Sequence, residues 1–376
     1  MTSVWQPRYV LTSAIARGLM TIEAARAVVD HTPLTLAAEA ELRRRARIRA
    51  THYSTRIEGN RLTLEEAEQV IEGRAHTFQG RERDAREVRN YWHALLQVEA
   101  WASQPAPLTE TLIQRLHALV ERGSRAKPSP YRDGQNIVRD AATGGIVYLP
   151  PEAGDVPALM TALVAWVHHA ETEKVPAPLI AALAHYQFVT VHPYYDGNGR
   201  TARLLATFVL HRQGYGLHGF FSLEEHHARH LAAYYRALVV HPHHNYYEGR
   251  AGADLTPWLE YFIATLAEVF AAAQEEALTA VAAHLPSEPP ALRRLDPRAR
   301  AVLALFAERE TITAVQVASF LGLAPRTARL LLQTWVSDGW LVVSDPSRRA
   351  RAYGLSAAYW QFIGMVSATP AQDASM

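Results

Sequence analysis

Between residues 192 and 203 the chain reads His-Pro-Tyr-Tyr-Asp-Gly-Asn-Gly-Arg-Thr-Ala-Arg. The pattern is that of a loop entering a helix. A helix start presents unpaired N–H groups and the positive end of the peptide dipoles, which suits a phosphate. Gly197 and Gly199 let the backbone fold around an anion. Arg200 and Arg203 are three apart, so both reach the first turn, and guanidinium forks match phosphate oxygens. Asp196 is a hard oxygen ligand beside that anion site, the kind of group that holds Mg²⁺ on phosphates. His192 is the side chain of this stretch that titrates near neutrality and is the candidate general base. Together they describe a magnesium-nucleotide site with a base aimed at an incoming hydroxyl.

A second cluster, Ser54-Thr55-Arg56-Ile57-Glu58-Gly59-Asn60, places Ser54 and Glu58 four apart on one helix face. An acid at a helix C-terminus is opposed by the dipole, so Glu58 invites a partner of opposite charge from elsewhere in the fold.

The 192–203 segment resembles the signature of the Fic (Fido) family, His-Pro-Phe-x-Asp/Glu-Gly-Asn-Gly-Arg-x-x-Arg, with Tyr194 where that signature has Phe. Ala184-His185-Tyr186 before it, Leu204-Leu205 after it and Tyr234-Tyr235 downstream are also family-like, and the resemblance spans roughly residues 30–285. It implies transfer of AMP from ATP to a Tyr, Ser or Thr hydroxyl of a target protein, or of the chain itself. His192 would take the hydroxyl proton and Asp196 would hold Mg²⁺. Gly197, Asn198, Gly199 and Arg200 would cradle the α- and β-phosphates, and Arg203 would bind the γ-phosphate. Ser54 to Gly59 resembles the family's inhibitory motif, which implies that Glu58 pairs with Arg203 and obstructs the γ-phosphate. In some members the same Glu helps water remove AMP, so a deAMPylase is the alternative enzyme. The hairpin over 136–149 occupies the place of the family's flap, with Ile137 and Val138 as clamping residues; Tyr234, Tyr235 and Asn245 are candidates for the adenine pocket. Fic proteins often form homodimers. His226 and His230 have metal-ligand spacing but lack the acid of a zinc-protease motif.

These residues need positioning elements, and the sequence predicts mostly helices. A long helix is expected over 33–58, rich in Ala, Leu, Glu and Arg, with Gly59-Asn60 as its stop. Thr63-Leu64-Glu65-Glu66 spells a capping box, so a helix should begin at Leu64. Further helices are expected over 84–101, 109–122, 155–172, 177–191 and 201–213, with the β-leaning hairpin before Pro150-Pro151. Pro193, Gly197 and Gly199 are expected to keep 192–199 out of regular helix. Beyond a Pro-rich linker, helices over 298–309, 313–321 and 325–337 followed by two short strands outline a winged helix-turn-helix.

The expected fold is thus all-α, a mainly helical Fic fold with a small β-hairpin flap, plus a C-terminal winged helix-turn-helix domain. The expected divisions are an N-terminal helical region 1–108 carrying the inhibitory helix, a catalytic core 109–285, a linker 286–297, the winged helix 298–364 and a tail 365–376.

The 376 residues carry 38 Lys+Arg against 37 Asp+Glu, so the whole chain is no nucleic-acid coat. Residues 291–360 are different: ten Arg face five acids, a net of +5. Arg326 and Arg329 fall early on the expected recognition helix, and Arg348, Arg349 and Arg351 on the wing, so residues 298–360 could meet DNA or a protein. That leaves a reading from another class: a DNA-binding regulator with the Fic core as nucleotide sensor. With no Cys, disulfides, zinc–thiolate sites and a Cys nucleophile are excluded. No leader pattern and no apolar run of membrane length is seen, so a cytoplasmic protein without a membrane partner is expected.

Overall fold

The computed structural model describes residues 5–360 apart from 76, 124–126, 140–143, 285–289, 308, 322, 346 and 348–350. The tip of the expected hairpin, the first part of the expected linker, wing residues Arg348 and Arg349, and the expected tail lie outside the described residues. Two compact units emerge: Met1–His31 with Arg43–Glu276, and Thr32–Leu42 with Ala277–Met376.

The larger unit is built on helices α1 (Ser13–His31), most of α2 (Leu36–Ile57), α3 (Leu64–Ile71), α4 (Glu82–Ala102), α5 (Glu110–Arg122), α6 (Val156–Thr172), α7 (Ala177–Val191), α8 (Asn198–Arg212), α9 (Leu223–Arg229), α10 (Leu231–Leu238) and most of α11 (Thr256–His284). Strands β1 (Val138–Arg139) and β2 (Ile146–Tyr148) pair antiparallel between α5 and α6. Thr63 caps α3 as its sequence predicts: its side chain accepts from the Glu66 N–H, and the Glu66 carboxylate accepts from the Thr63 N–H.

Helix α7 is at the centre. It is apolar on every face and buried along its length except at Val189, which suits a helix enclosed by others. It packs along α8, and α4, α5 and α6 close round the pair. From α11, Trp258, Phe262 and Phe270 complete the core, and the Trp258 indole donates to the Ala182 carbonyl at 2.8 Å. Side chains of this size contribute about 2–3 kcal/mol each on burial.

Three local expectations are corrected. Helix α8 starts at Asn198, three residues earlier than expected, so Gly199 lies inside its first turn. Helix α1 was not among the expected helices, and Gly18 sits within it. Gly18 permits close approach, since a Cβ there would come within 2.6 Å of the Ile263 side chain. The expected linker is partly folded: α12 (Pro290–Arg293) lies within it, and Leu292 and Leu295 are buried in the core of the smaller unit.

That smaller unit continues with α13 (Pro297–Leu303), β3 (Thr311–Thr313), α14 (Ala314–Leu321), α15 (Pro325–Ser337), β4 (Leu341–Asp345), β5 (Ala352–Leu355) and α16 (Ala357–Trp360). The expected two strands are three, antiparallel in the order β3-β5-β4. Trp335 and Trp340 pack together at its centre, and the Trp335 indole donates to Asp296 at 2.7 Å. Among the described residues no helix is long and apolar enough to cross a membrane.

Candidate active site

The turn between α7 and α8 carries the site. His192 ends α7 in the left-handed region, φ 50° and ψ 59°, a conformation that costs a non-glycine residue energy and must be held by its surroundings. Its Nδ1 faces the Val189 carbonyl at 3.2 Å. A carbonyl demands a donor, so Nδ1 carries the proton and Nε2 keeps its lone pair. Burial pushes this imidazole down to about 4, against a smaller upward pull from the Val189 carbonyl.

The loop is fastened on all sides. The Tyr194 N–H donates to Asn198 Oδ1 at 3.1 Å, and Asn198 Nδ2 donates back to the Tyr194 carbonyl at 2.8 Å. Asn198 therefore uses its buried side chain to close the loop, and its backbone N–H opens α8. Asn136 Nδ2 donates to the same Tyr194 carbonyl at 2.9 Å, which ties the hairpin to the loop. Ile137 and Val138 follow directly: Ile137 is exposed beside β1, and Val138 is half-buried within it.

Sequence reasoning missed two residues here. Arg132 is buried, and its guanidinium donates to the carbonyls of His192 (2.9 Å), Gly134 (3.0 Å) and Pro151. His117 stacks on Tyr194 with ring centroids 3.6 Å apart, and its Nε2 faces the Asp196 carbonyl at 2.9 Å. Neither residue belongs to the motif, and only tertiary pairing reveals them. The Tyr194 hydroxyl is buried with no hydrogen-bond partner among the described residues. Tyr194→Phe is therefore expected to keep or raise the melting temperature. A drop in a thermal melt would mean that the hydroxyl has a partner after all.

Gly197 caps α8 with φ +76°, and the N–H groups of the first turn lack intrahelical acceptors. The Asp196 carboxylate stays largely exposed (60%), with Oδ1 accepting the Gly197 N–H at 2.7 Å. Arg200 is buried and faces Glu121.

Arg203 is also buried. Its Nε donates to Ser54 Oγ and its Nη2 to the Ser54 carbonyl, both at 2.9 Å. The same Nη2 donates to Glu58 Oε1 at 2.8 Å. Glu58 lies one residue past the end of α2, and a Cβ on Gly199 would run into its carboxylate. Despite burial, the Glu58 carboxylate and the Tyr234 and Tyr91 hydroxyls around it hold the Arg203 guanidinium well above its ordinary value. So the two expected motifs meet, 145 residues apart in sequence.

The adenine-pocket expectations fare differently. Tyr234 is fully buried, its hydroxyl 3.0 Å from His185 Nε2 and its ring stacked on His227. No open face is left for a base, because α10 turns this residue into the core. Tyr235 is half exposed on the same helix. Asn245 accepts from the Tyr247 N–H at 3.0 Å and sits beside Leu149 at the end of the hairpin. The rings of His226 and His230 lie 4.5 Å apart, tilted by 37°, but among the described residues no group of three or more His, Cys, Asp or Glu could hold a metal.

The site is thus a turn between two buried helices, fronted by a hairpin. Residues 107–210 match the Fic/DOC family, and the chain carries a Fic/DOC domain there. It is similar to the protein adenylyltransferase Fic of Drosophila willistoni, 30% identical over 200 residues, 53% of this chain and 39% of that protein. The protein adenylyltransferase Fic of Drosophila melanogaster is 32% identical over 165 residues, 44% of this chain and 32% of that protein. The chain thus spans well under half the length of these relatives. A Fic family protein from Desulfovibrio desulfuricans G20 has a similar structure, with a TM-score of 0.59 at 27% identity over 94% of this chain and 99% of that one.

Proposed function

We propose that the chain is an autoinhibited protein adenylyltransferase, transferring AMP from ATP to a Tyr, Ser or Thr hydroxyl of a target protein or of itself. The observation that carries this reading is the pairing of Arg203 with Ser54 and Glu58, directly beside a helix start whose other groups suit phosphates. The hydroxyl oxygen attacks the α-phosphorus as its proton passes to His192 Nε2. The new O–P bond forms as the bond to the β-phosphate oxygen breaks, and pyrophosphate leaves. The N-terminal N–H groups of α8 with Gly197 and Gly199 receive the α- and β-phosphates, Arg200 assists there, and Arg203 is the γ-phosphate partner that Glu58 withholds.

Asp196 is exposed, anionic and adjacent to the anion site, so its carboxylate suits Mg²⁺ shared with the phosphates. A cation bound there neutralises phosphate charge. Ile137 and Val138, fixed to the loop through Asn136, would clamp an extended target segment along the hairpin edge. Tyr235 rather than Tyr234 has an exposed face to offer the nucleotide.

The smaller unit supports a partner-binding role. Its helix–strand–helix–helix–strand–strand order fits a winged helix-turn-helix, with Arg326 and Arg329 exposed on α15. Leu330 beside them, and Val315 and Phe320 on α14, are exposed as well, which favours a protein surface over DNA.

The test uses the Glu58→Gly protein with ATP labelled at either the α- or the γ-phosphate, with Mg²⁺. Label on protein is expected from the α-position alone, and EDTA should abolish it. Label from the γ-position would make the chain a kinase instead. Loss of AMP from a pre-modified protein, without label uptake, would favour the deAMPylase reading.

A further inference from the structure

We infer that Glu121 is a positioning residue that competes with Asp196 for Arg200 and so keeps the Asp196 carboxylate available to a divalent cation. The inference rests on the adenylyltransferase reading. Glu121 belongs to no motif; it projects from the last turn of α5. The side chain of Arg200 is 3% exposed, and its Nη2 lies 2.8 Å from Glu121 Oε1 and 3.4 Å from Asp196 Oδ1. One donor nitrogen faces two carboxylates: Glu121 is the closer and attracts it as a charge, while the longer contact to Asp196 has hydrogen-bond geometry.

The loop is shaped to admit that carboxylate. A Cβ on Gly197 would come within 2.9 Å of Glu121 Cδ and 3.0 Å of Cγ. Glycine is thus required at 197 for the approach of Glu121 as well as for the positive φ. On its other side Asp196 faces a second cation, with Oδ2 3.5 Å from Arg83 Nη2. Arg83 is in turn held by Glu87, its Nε 2.8 Å from Oε1. Asp196 therefore stands between two arginines, each drawn back by a carboxylate of its own. The Arg83 side chain is 69% exposed, so that arm is weak. The Arg200 arm is buried and decides the outcome.

A buried guanidinium stripped of its partner must find another. Without Glu121, Asp196 is the carboxylate already within 3.4 Å of Arg200. Tightening that contact, already a long hydrogen-bonded ion pair, would cancel the charge that a divalent cation needs. The effect falls on metal-dependent nucleotide binding, not on the base or on the hairpin.

The experiment measures ATP binding by calorimetry to the full-length Glu58→Gly protein, in Mg²⁺ and in EDTA. The ratio of the two affinities is the gain due to the metal. Glu121→Ala in that background should cut this gain about tenfold, the usual cost of removing an outer partner of a metal ligand. Affinity in EDTA should change much less. Glu121→Gln keeps the shape and an acceptor for Arg200, so it should retain more of the gain; this variant also covers an alanine protein that fails to fold. Asp196→Asn should remove the gain, and Glu121→Ala should then add no further loss. An unchanged gain in a folded Glu121→Ala protein overturns the inference and leaves Glu121 a packing residue. If the Glu58→Gly parent itself binds no ATP, the adenylyltransferase reading falls, and the inference falls with it.

Discussion

Glu58→Gly is expected to raise transfer of α-label from ATP by about 10- to 100-fold over the native chain, the equivalent of one charge-assisted hydrogen bond of about 1.5–3 kcal/mol. The Glu58 carboxylate takes one N–H of a buried guanidinium, with an N···O distance of 2.8 Å. A phosphate oxygen seeking that N–H must displace it and also meets its negative charge. Removing the carboxylate leaves Arg203 in place, because Ser54 still accepts from its Nε and Nη2. The guanidinium is therefore already aligned when the phosphate arrives. Glu58→Gln separates charge from bulk: it removes the repulsion but keeps a side chain against Gly199. Its activity should lie between native and glycine proteins. A folded Glu58→Gly protein no more active than the native chain would remove Glu58 from any inhibitory role.

How much of this was legible without the structure depends on the range of each interaction. The capping box at Thr63 is a four-residue event, and its spelling suffices. The 192–203 loop is legible because its residue types suit one chemistry. Its internal division of labour was not, since Asn198 fastens the loop through a bond four residues back. Tyr234 looked available on a helix face, but burial is set by α7 and α11, which its own segment does not encode. Arg132 acts across 60 residues and His117 and Glu121 each across 79, and nothing local marks them. Gly18 allows Ile263 to pack close, a contact that nothing in its own segment announces. Apart from the Glu58–Arg203 pair, which the family resemblance implied, what remained hidden was pairing between distant elements, on which local propensity is silent.

In the Glu58→Gly background, His192→Ala should lower adenylylation by about 10²- to 10⁴-fold, the usual worth of a positioned general base. ATP affinity should hold, since His192 lies on the hydroxyl side of the reacting phosphorus in this reading. The pH profile gives the sharper test. The base works only when Nε2 is unprotonated. Burial holds the ring near 4 rather than the usual 6.5, so kcat/KM should stay flat through pH 6.5 and fall only as pH approaches that lower value. Glu58 pulls this pKa upward, so its removal can only shift the limb lower. Acid unfolding must be separated from this limb. His52 and His117 are also held near 4 and His185 near 3, each chiefly by burial. Below 6.5 the unfolded chain binds protons that these buried rings refuse, so stability declines as pH falls from about 6.5 towards 4. Circular dichroism at each pH identifies where the fold still holds, and rates are compared only there. A limb centred near 6.5 on intact protein would mean either that His192 is exposed in the working enzyme or that another group is the base; retention of that limb in His192→Ala would select the second.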